Sequence, residues 1–334
     1  MIGEPSRVLQ TALTAPDFTP ETLLDAVRYF SDPDVCIAYM ARARWGSIDA
    51  VACPTCGSRK VHYLDARRLW QCNTKHPRRQ FSVKVGTIFE DSPLGLEKWL
   101  PAVWLLTNAK NGVSSYEMAR GLGITQKSAW FMLHRIRLAM QIPADRFSGE
   151  VEADETFIGG AARFMHKSKK SERLGGKRGG TVGKVAVMGL LERHGPDRTS
   201  RVKMAVVPNV RRRQLQDEVR QHVAPGSNLY TDALQSYSGL ADEYVHKVID
   251  HAEAYTKGKV HTNGLENFWS LLKRANKGTY VSVEPFHLFR YLDEEVFRFN
   301  QRRDPDGDGG RFLKVLRAVV GRRLTFAELT TSPS

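Results

Sequence analysis

Cysteine occurs four times in 334 residues, at positions 36, 53, 56 and 72. Four thiols crowded into one short stretch do not make the disulfide framework of a secreted protein. Long apolar runs are missing too. The longest, such as "WLPAVWLL" and "VAVMGLL", fall far short of the roughly 20 residues a membrane-spanning helix needs. The opening "MIGEPSRVLQTALTAPDF" lacks the apolar core of a signal peptide. The expectation is a cytoplasmic protein with no membrane partner. Acidic residues are outnumbered: 36 Asp and Glu face 50 Lys and Arg, a net charge of +14. Such an excess favours a polyanionic partner, because each phosphate neutralised releases condensed counterions. An anionic membrane surface would instead want a basic amphipathic anchor, and none is legible. Hydrophobic residues make up 41% of the chain, enough for sizeable cores, and the length suits two or three domains.

The first 20 residues are rich in Pro and Thr. "TPETLLDAVRYF" opens with Thr19 and Pro20, which suit N-cap and N1 positions, and predicts a helix. "DPDVCIAYMARARWG" predicts a second, with Cys36 as a small core residue. Residues 1–47 therefore read as a helical segment. Residues 48–92 read as a zinc ribbon. Cys53-Pro-Thr-Cys56-Gly offers two thiolates from one tight turn, and the Gly supplies the awkward backbone angle. The strands "KVHYLD" and "RLWQC" lead to Cys72 and His76, spaced C-x3-H, the alternative being a surface histidine at 76 and a fourth ligand elsewhere in the chain. Four N and S ligands suit a closed, structural Zn²⁺ site. Arg59, Lys60, Arg67, Arg68, Lys75, Arg78 and Arg79 surround it with positive charge, which suits contact with nucleic acid.

Residues 93–145 read as a helix-turn-helix region. Ser114-x-x-Glu117 is a capping-box pattern that opens a short helix. "GLGIT" ends it, and Thr125 can cap a longer helix carrying Trp130, Leu133, Ile136 and Met140. A second helix of this kind enters a DNA major groove by its N-terminal end, which makes Gln126, Lys127 and Ser128 candidate DNA readers. The alternative is a plain helical hairpin within a core.

From residue 149 the texture changes. "EVEADETFIGG", "GKVAVMGLLERHG", "RVKMAVVPNV", "SNLYTDAL" and "EYVHKVIDH" predict strands, "RRRQLQDEVRQHV" an amphipathic helix, and "QSYSGLAD" a further helical piece. This order suggests a mixed sheet with helices packed on it. Residues 163–180, "RFMHKSKKSERLGGKRGG", hold seven Lys/Arg and one Glu and predict a basic loop, with Lys167, Lys169 and Lys170 as phosphate contacts. After "FNQRRDPDGDGG", a turn-rich linker, residues 304–334 read as a tail with one small helix, "RFLKVLRAVVG".

"HTNGLENFWSLLKR" is the most informative stretch. Leu265, Phe268, Trp269 and Leu272 share one helical face and read as core, while Asn263, Glu266, Ser270, Lys273 and Lys277 share the other. Glu266 joins Asp154 in the first strand and Asp232 at the end of the fourth, spaced 78 and 34 residues apart. Carboxylates in apolar strands need something to bind. Three of them suit hard cations, Mg²⁺ or Mn²⁺, and two such ions clamp the attacking and leaving oxygens of a phosphoryl displacement. Glu155 adjoins Asp154 but points to the opposite strand face, and Glu152 shares the Asp154 face as a spare acid. His246 and His251 read as structural, whereas His261 could cap the helix or approach the acids.

The set "ADETFIGG", "LYTDALQSY", "HTNGLENFWSLLKRANKGTY" and "HLFRYLDEEVFRFNQR" resembles the DDE transposases of bacterial insertion sequences, in particular the ISXO-like subgroup. That subgroup also carries an N-terminal CPxCG zinc ribbon, "GTIFEDS"-like sequence and a helix-turn-helix, and the likeness runs in order from about residue 20 to 303. The resemblance implies a multidomain α+β chain: N-terminal helices and zinc ribbon, helix-turn-helix, then an RNase H-like mixed α/β catalytic domain over 149–303. It implies a catalytic triad of Asp154, Asp232 and Glu266, with two Mg²⁺ or Mn²⁺ ions. It makes Lys273, seven residues after the acid, a contact to the element end, and Lys277 extends that face. The implied partners are element-end and target DNA, and paired ends imply at least a homodimer. The chain departs from the subgroup at Cys72, where "NTKH" replaces a second C-x-x-C. Some relatives place Asn at the third acidic position, which keeps Asn263 and Asn267 as alternatives. A catalytically silent DNA-binding regulator and a nuclease that cuts without joining both stay open.

Overall fold

The computed structural model describes residues 18–143, 145–159, 181–195, 199–232, 235–249, 261–281 and 283–331. The chain divides into two compact units: Met1–Ile142 with Asp304–Ser334, and Pro143–Arg303.

The first unit opens with α1 (Leu23–Tyr29), which starts later than Thr19 and Pro20 suggest. Thr22 is the N-cap: its hydroxyl accepts the Asp25 N–H and the Asp25 carboxylate accepts the Thr22 N–H, both at 3.1 Å. Of two threonines three apart, the one followed by an acid at the third position forms the capping box. Pro20 instead turns its carbonyl to the buried Trp104 indole N–H at 3.0 Å. Helix α2 (Pro33–Trp45) is capped by Asp32, and the Cys36 thiol inside it is fully buried and donates to the Phe30 carbonyl. Strands β1 (Val61–Leu64), β2 (Leu69–Cys72) and β3 (Gln80–Phe81) form an antiparallel ribbon around buried Trp70. Three helices follow: α3 (Leu96–Asn108), α4 (Ser115–Leu122) and α5 (Gln126–Ala139). The Ser114–Glu117 capping box forms, Gly123 ends α4 at φ +60°, and the Thr125 hydroxyl caps α5 through the Ser128 N–H.

The second unit is a five-stranded sheet in the order β6-β5-β4-β7-β8, from β4 (Glu150–Ile158), β5 (Val185–Glu192), β6 (Arg201–Val207), β7 (Asn228–Asp232) and β8 (Val245–Ile249). The first three strands are antiparallel neighbours; β4, β7 and β8 run parallel. Helix α6 (Arg212–His222) sets Leu215 and Val219 against Val151, Ala153, Met188 and Leu190 on one face. On the other, Val187, Leu191 and Val202 meet Leu265, Phe268 and Leu272 of α7 (Asn263–Ala275) and Leu288 and Leu292 of α8 (Leu288–Asn300). The apolar spacing of α7 thus lies on the sheet, at about 1.5–3 kcal/mol for each large side chain buried. This is an RNase H-like mixed sheet with helices on both faces. "QSYSGLAD" forms only a single 3-10 turn, Gln235–Tyr237, where the sequence suggests more helix.

Two helices return to the first unit: α9 (Gly307–Ala318) and α10 (Phe326–Thr330). The expected linker "DPDGDGG" lends Gly307–Gly310 to the first turn of α9, so that helix starts earlier than its apolar run suggests. Phe312, Val315, Leu316 and Val319 recur at helical spacing, are all buried, and α9 packs against α3.

Candidate active site and metal centre

Strand pairing aligns two of the acids. β4 pairs with β7 through Glu150–Asn228 and Glu152–Tyr230, and the same register continued two residues sets Asp154 level with Asp232. In-register neighbours on parallel strands point to the same face. Asp154 is half-buried, and neutral donors hold both of its oxygens. Trp269 Nε1–H donates to Oδ2 at 2.8 Å and the Glu155 backbone N–H to Oδ1 at 2.8 Å. Burial raises its pKa most; the two donors oppose that, and the charges of Asp232 and Glu266 push it further up. The three acids therefore lie within electrostatic reach. Their oxygens are not gathered as tightly as the thiolate–imidazole group described below, and Glu266 is exposed. Three like charges repel one another until a cation offsets them.

Helix α7 is placed by a carboxylate that the sequence marks only as a spare. Glu152 is buried, accepts the Leu265 backbone N–H at 2.9 Å, and accepts from Arg193 Nε at 2.8 Å. It therefore caps the helix that carries Glu266, and its oxygens are already occupied. Gly264 makes the approach possible: a Cβ there would sit 2.9 Å from a Glu152 oxygen. Arg193 stacks on the Tyr230 ring at 4.2 Å and donates to the His261 carbonyl at 2.5 Å. His261 thus joins this anchor, its Nδ1 lying 3.0 Å from Arg193 and 3.6 Å from Glu152. Beyond the anchor Asn263, Glu266, Asn267, Ser270, Lys273 and Lys277 are all exposed.

Glu155, on the opposite face, accepts the Tyr237 hydroxyl at 2.9 Å. Burial, with the charges of Asp232 and Asp154, pushes its pKa up to about 7 against that hydrogen bond. Neither the Trp269–Asp154 nor the Glu152–Leu265 contact left a signal in the sequence. His246 Nε2 meets the Thr231 hydroxyl at 2.9 Å, and His251 lies outside the described residues.

In the first unit the turn at Cys53 and Cys56, with Gly57 at φ +71°, comes up against Cys72 and His76. The four ligand atoms lie within 4.8 Å of one another, with Cys53 Sγ 3.4 Å from His76 Nε2 and Cys56 Sγ 3.7 Å from Cys72 Sγ. His76 Nδ1 is 2.5 Å from the Pro77 carbonyl, so that nitrogen donates and leaves Nε2 as the ligating one. Three thiols and one imidazole are a donor set that fits Zn²⁺. Of the surrounding cations, Arg68 pairs with Asp34 at 2.7 Å and Arg79 donates to the Cys72 carbonyl. Arg59, Lys60, Arg67, Lys75 and Arg78 are exposed.

The start of α5 presents less than its sequence suggests. Gln126 donates to the Ser115 hydroxyl at 2.8 Å and Ser128 is engaged by Thr125, whereas Lys127 is exposed, its Nζ 4.7 Å from the Phe326 ring centroid. Lys167, Lys169 and Lys170 lie outside the described residues.

Residues 146–300 match the ISXO2-like transposase domain, and residues 31–74 match a transposase zinc-ribbon domain. The ribbon match takes in Cys53, Cys56 and Cys72 and stops two residues short of His76. The chain is 27% identical over 273 residues to an uncharacterized protein in transposable element ISH50 of Halobacterium salinarum, covering 78% of this chain and 90% of that protein. It is 37% identical over 102 residues to an uncharacterized transposase-like protein of Haemophilus influenzae, covering 30% of this chain and 81% of that one. Among the described residues no helix is long and apolar enough to cross a membrane. With a matching catalytic domain, a matching ribbon and relatives of the same kind, the chain belongs to the ISXO2-like transposase family.

Proposed function

We propose that the protein binds the ends of an insertion sequence, cleaves DNA phosphodiesters there and joins the freed 3′-OH to target DNA. The observation that carries this reading is the β4–β7 register, which continued two residues sets Asp154 level with Asp232, and the packing of the helix that bears Glu266 on that same face of the sheet. Asp154, Asp232 and Glu266 would hold two divalent cations, Mg²⁺ or Mn²⁺, since three carboxylates are the donor set such hard ions prefer. Bound there, the ions supply charge stabilisation to the attacking and leaving oxygens of the phosphodiester. The protein's part is positioning. β4 and β7 hold two acids side by side, and α7 brings the third. Lys273, about 10 Å further along that helix, and Lys277 beyond it extend toward the phosphates of the element end. Cys53, Cys56, Cys72 and His76 hold a structural Zn²⁺ that ties the ribbon together. Lys127, Gln126 and Ser128 at the start of α5, with Lys167, Lys169 and Lys170, make further DNA contacts. A homodimer would bring two ends together.

The test is a cleavage and strand-transfer assay on the DNA flanking the gene, with Mg²⁺ or Mn²⁺, comparing wild type with Glu266→Gln. Joined products that vanish in the variant while DNA binding persists are the expected result. Cleavage without joining would make the protein a nuclease. Binding with neither cutting nor joining would make it a regulator derived from a transposase.

A further inference from the structure

Trp269 lies on the apolar face of α7 and is only 4% exposed. A buried indole N–H needs an acceptor. Here the acceptor is the Asp154 carboxylate, 2.8 Å away, from a residue 115 positions earlier in the chain. The sheet is shaped to admit the ring. Gly189 of β5 sits directly opposite Asp154, and a Cβ at that position would lie 2.7 Å from two carbons of the indole. Any larger residue there collides with the ring, and the space around it is filled by Leu265. The second Asp154 oxygen is held by the Glu155 backbone N–H. Both donors are neutral. An Arg or Lys in the same place would offset the negative charge a cation needs; an indole fixes the carboxylate and leaves its charge intact. Trp269 also stands three residues after Glu266, so the helix that carries the third acid is pinned to the first.

We propose that Trp269 is a positioning residue for the divalent-cation site: its indole N–H sets the orientation of the Asp154 carboxylate, and Gly189 is the notch that lets it reach. This rests on the reading of Asp154, Asp232 and Glu266 as cation ligands.

The test is Mn²⁺ binding by the full-length protein, followed by electron paramagnetic resonance, with Asp154→Ala defining the signal that belongs to this site. Trp269→Phe keeps the ring and removes the N–H. Loss of an outer partner of a metal ligand typically weakens metal affinity by about 10- to 100-fold. The expected result is a weakening in that range in the folded protein, with DNA affinity close to wild type and a matching rise in the Mn²⁺ concentration that half-saturates cleavage. A purely structural role would lower the melting temperature and leave Mn²⁺ affinity unchanged in the folded fraction, which overturns the proposal. If Trp269→Phe does not fold, Gly189→Ala displaces the intact indole and should weaken Mn²⁺ binding in the same way. Wild-type Mn²⁺ affinity in folded Gly189→Ala, or failure of both variants to fold, makes the indole a core strut only. If the wild type shows no Asp154-dependent Mn²⁺ signal, the cation reading itself falls. If that signal is present and Trp269→Phe retains it, only the role of Trp269 falls.

Discussion

The carboxylate of Glu152, buried in strand β4, accepts the backbone N–H of Leu265 at the start of helix α7, 2.9 Å away. Two residues along the same strand, on the same face, stands Asp154; one residue after Leu265 on the helix stands Glu266. This hydrogen bond, with that from Trp269 to Asp154, registers the strand bearing the first acid against the helix bearing the third. The carboxylate also satisfies one of the orphan donors of the helix and lies at its positive end.

Removing that carboxylate takes from a half-buried arginine its buried partner. Glu152→Ala leaves Arg193, paired at 2.8 Å, without its buried partner and α7 without its cap. Breaking such a pair costs about 3–5 kcal/mol. Urea unfolding monitored by circular dichroism should show a loss of that order; a loss under about 0.5 kcal/mol would mean that the pair is idle.

Gly264→Ala sets two effects against each other. Helix propensity favours Ala by about 1 kcal/mol. The added Cβ would lie 2.9 Å from a Glu152 oxygen and 3.0 Å from Leu191 Cδ1, and overpacking costs about 1–3 kcal/mol. Glu152 is held by two donors and cannot step aside cheaply, so the clash should win and the melting temperature should fall. A rise would show that the helix start yields.

Acid should weaken the second unit partly through His246. Burial lowers its pKa, so the folded state binds fewer protons there than the unfolded chain. Its contribution is full above the unfolded value of about 6.5 and is lost as pH falls through the folded value. Between about pH 7.5 and 5, the urea midpoint of wild type should drop more than that of His246→Gln. Parallel curves would assign the acid sensitivity to other groups.

The fourth zinc ligand is open to direct measurement. His76→Ala should retain less zinc than wild type in competition with a chromophoric chelator, and Cys72→Ser should retain least. Wild-type zinc content and affinity in His76→Ala would move the fourth ligand elsewhere.

At α5 the exposed cation and the engaged amide should separate. Lys127→Ala should weaken binding to element-end DNA and reduce the slope of log affinity against log salt by about 0.9, the signature of one lost phosphate contact. Gln126→Ala removes the hydrogen bond to Ser115 and should alter stability while leaving that slope unchanged. Fluorescence anisotropy across a salt series reads both.

What the sequence determined by itself was local or written in pattern. The Ser114–Glu117 capping box needs residues only three apart, and it forms. The three-and-four spacing of α7 predicts which of its faces is buried, because side-chain direction follows backbone period, whereas the alternation in β4 only sorts apolar from acidic side chains on a strand covered on both faces. The Cys53–Cys56 knuckle is a single turn, and four motifs in order were enough to carry the family resemblance. Even locally, two threonines competed for one helix start, and only the return bond from Asp25 chose Thr22.

Tertiary structure decided everything that joins distant segments. Glu152 read as a spare acid because its partner is 113 residues away. Trp269 read as plain core because apolar spacing reports burial and says nothing about where an N–H points. Gly189 and Gly264 carried no signal, since the need for a missing side chain exists only where another element comes close. Periodicity predicted a small helix in the C-terminal segment; that α9 packs on α3 rests on complementary surfaces, which no pattern along one chain encodes.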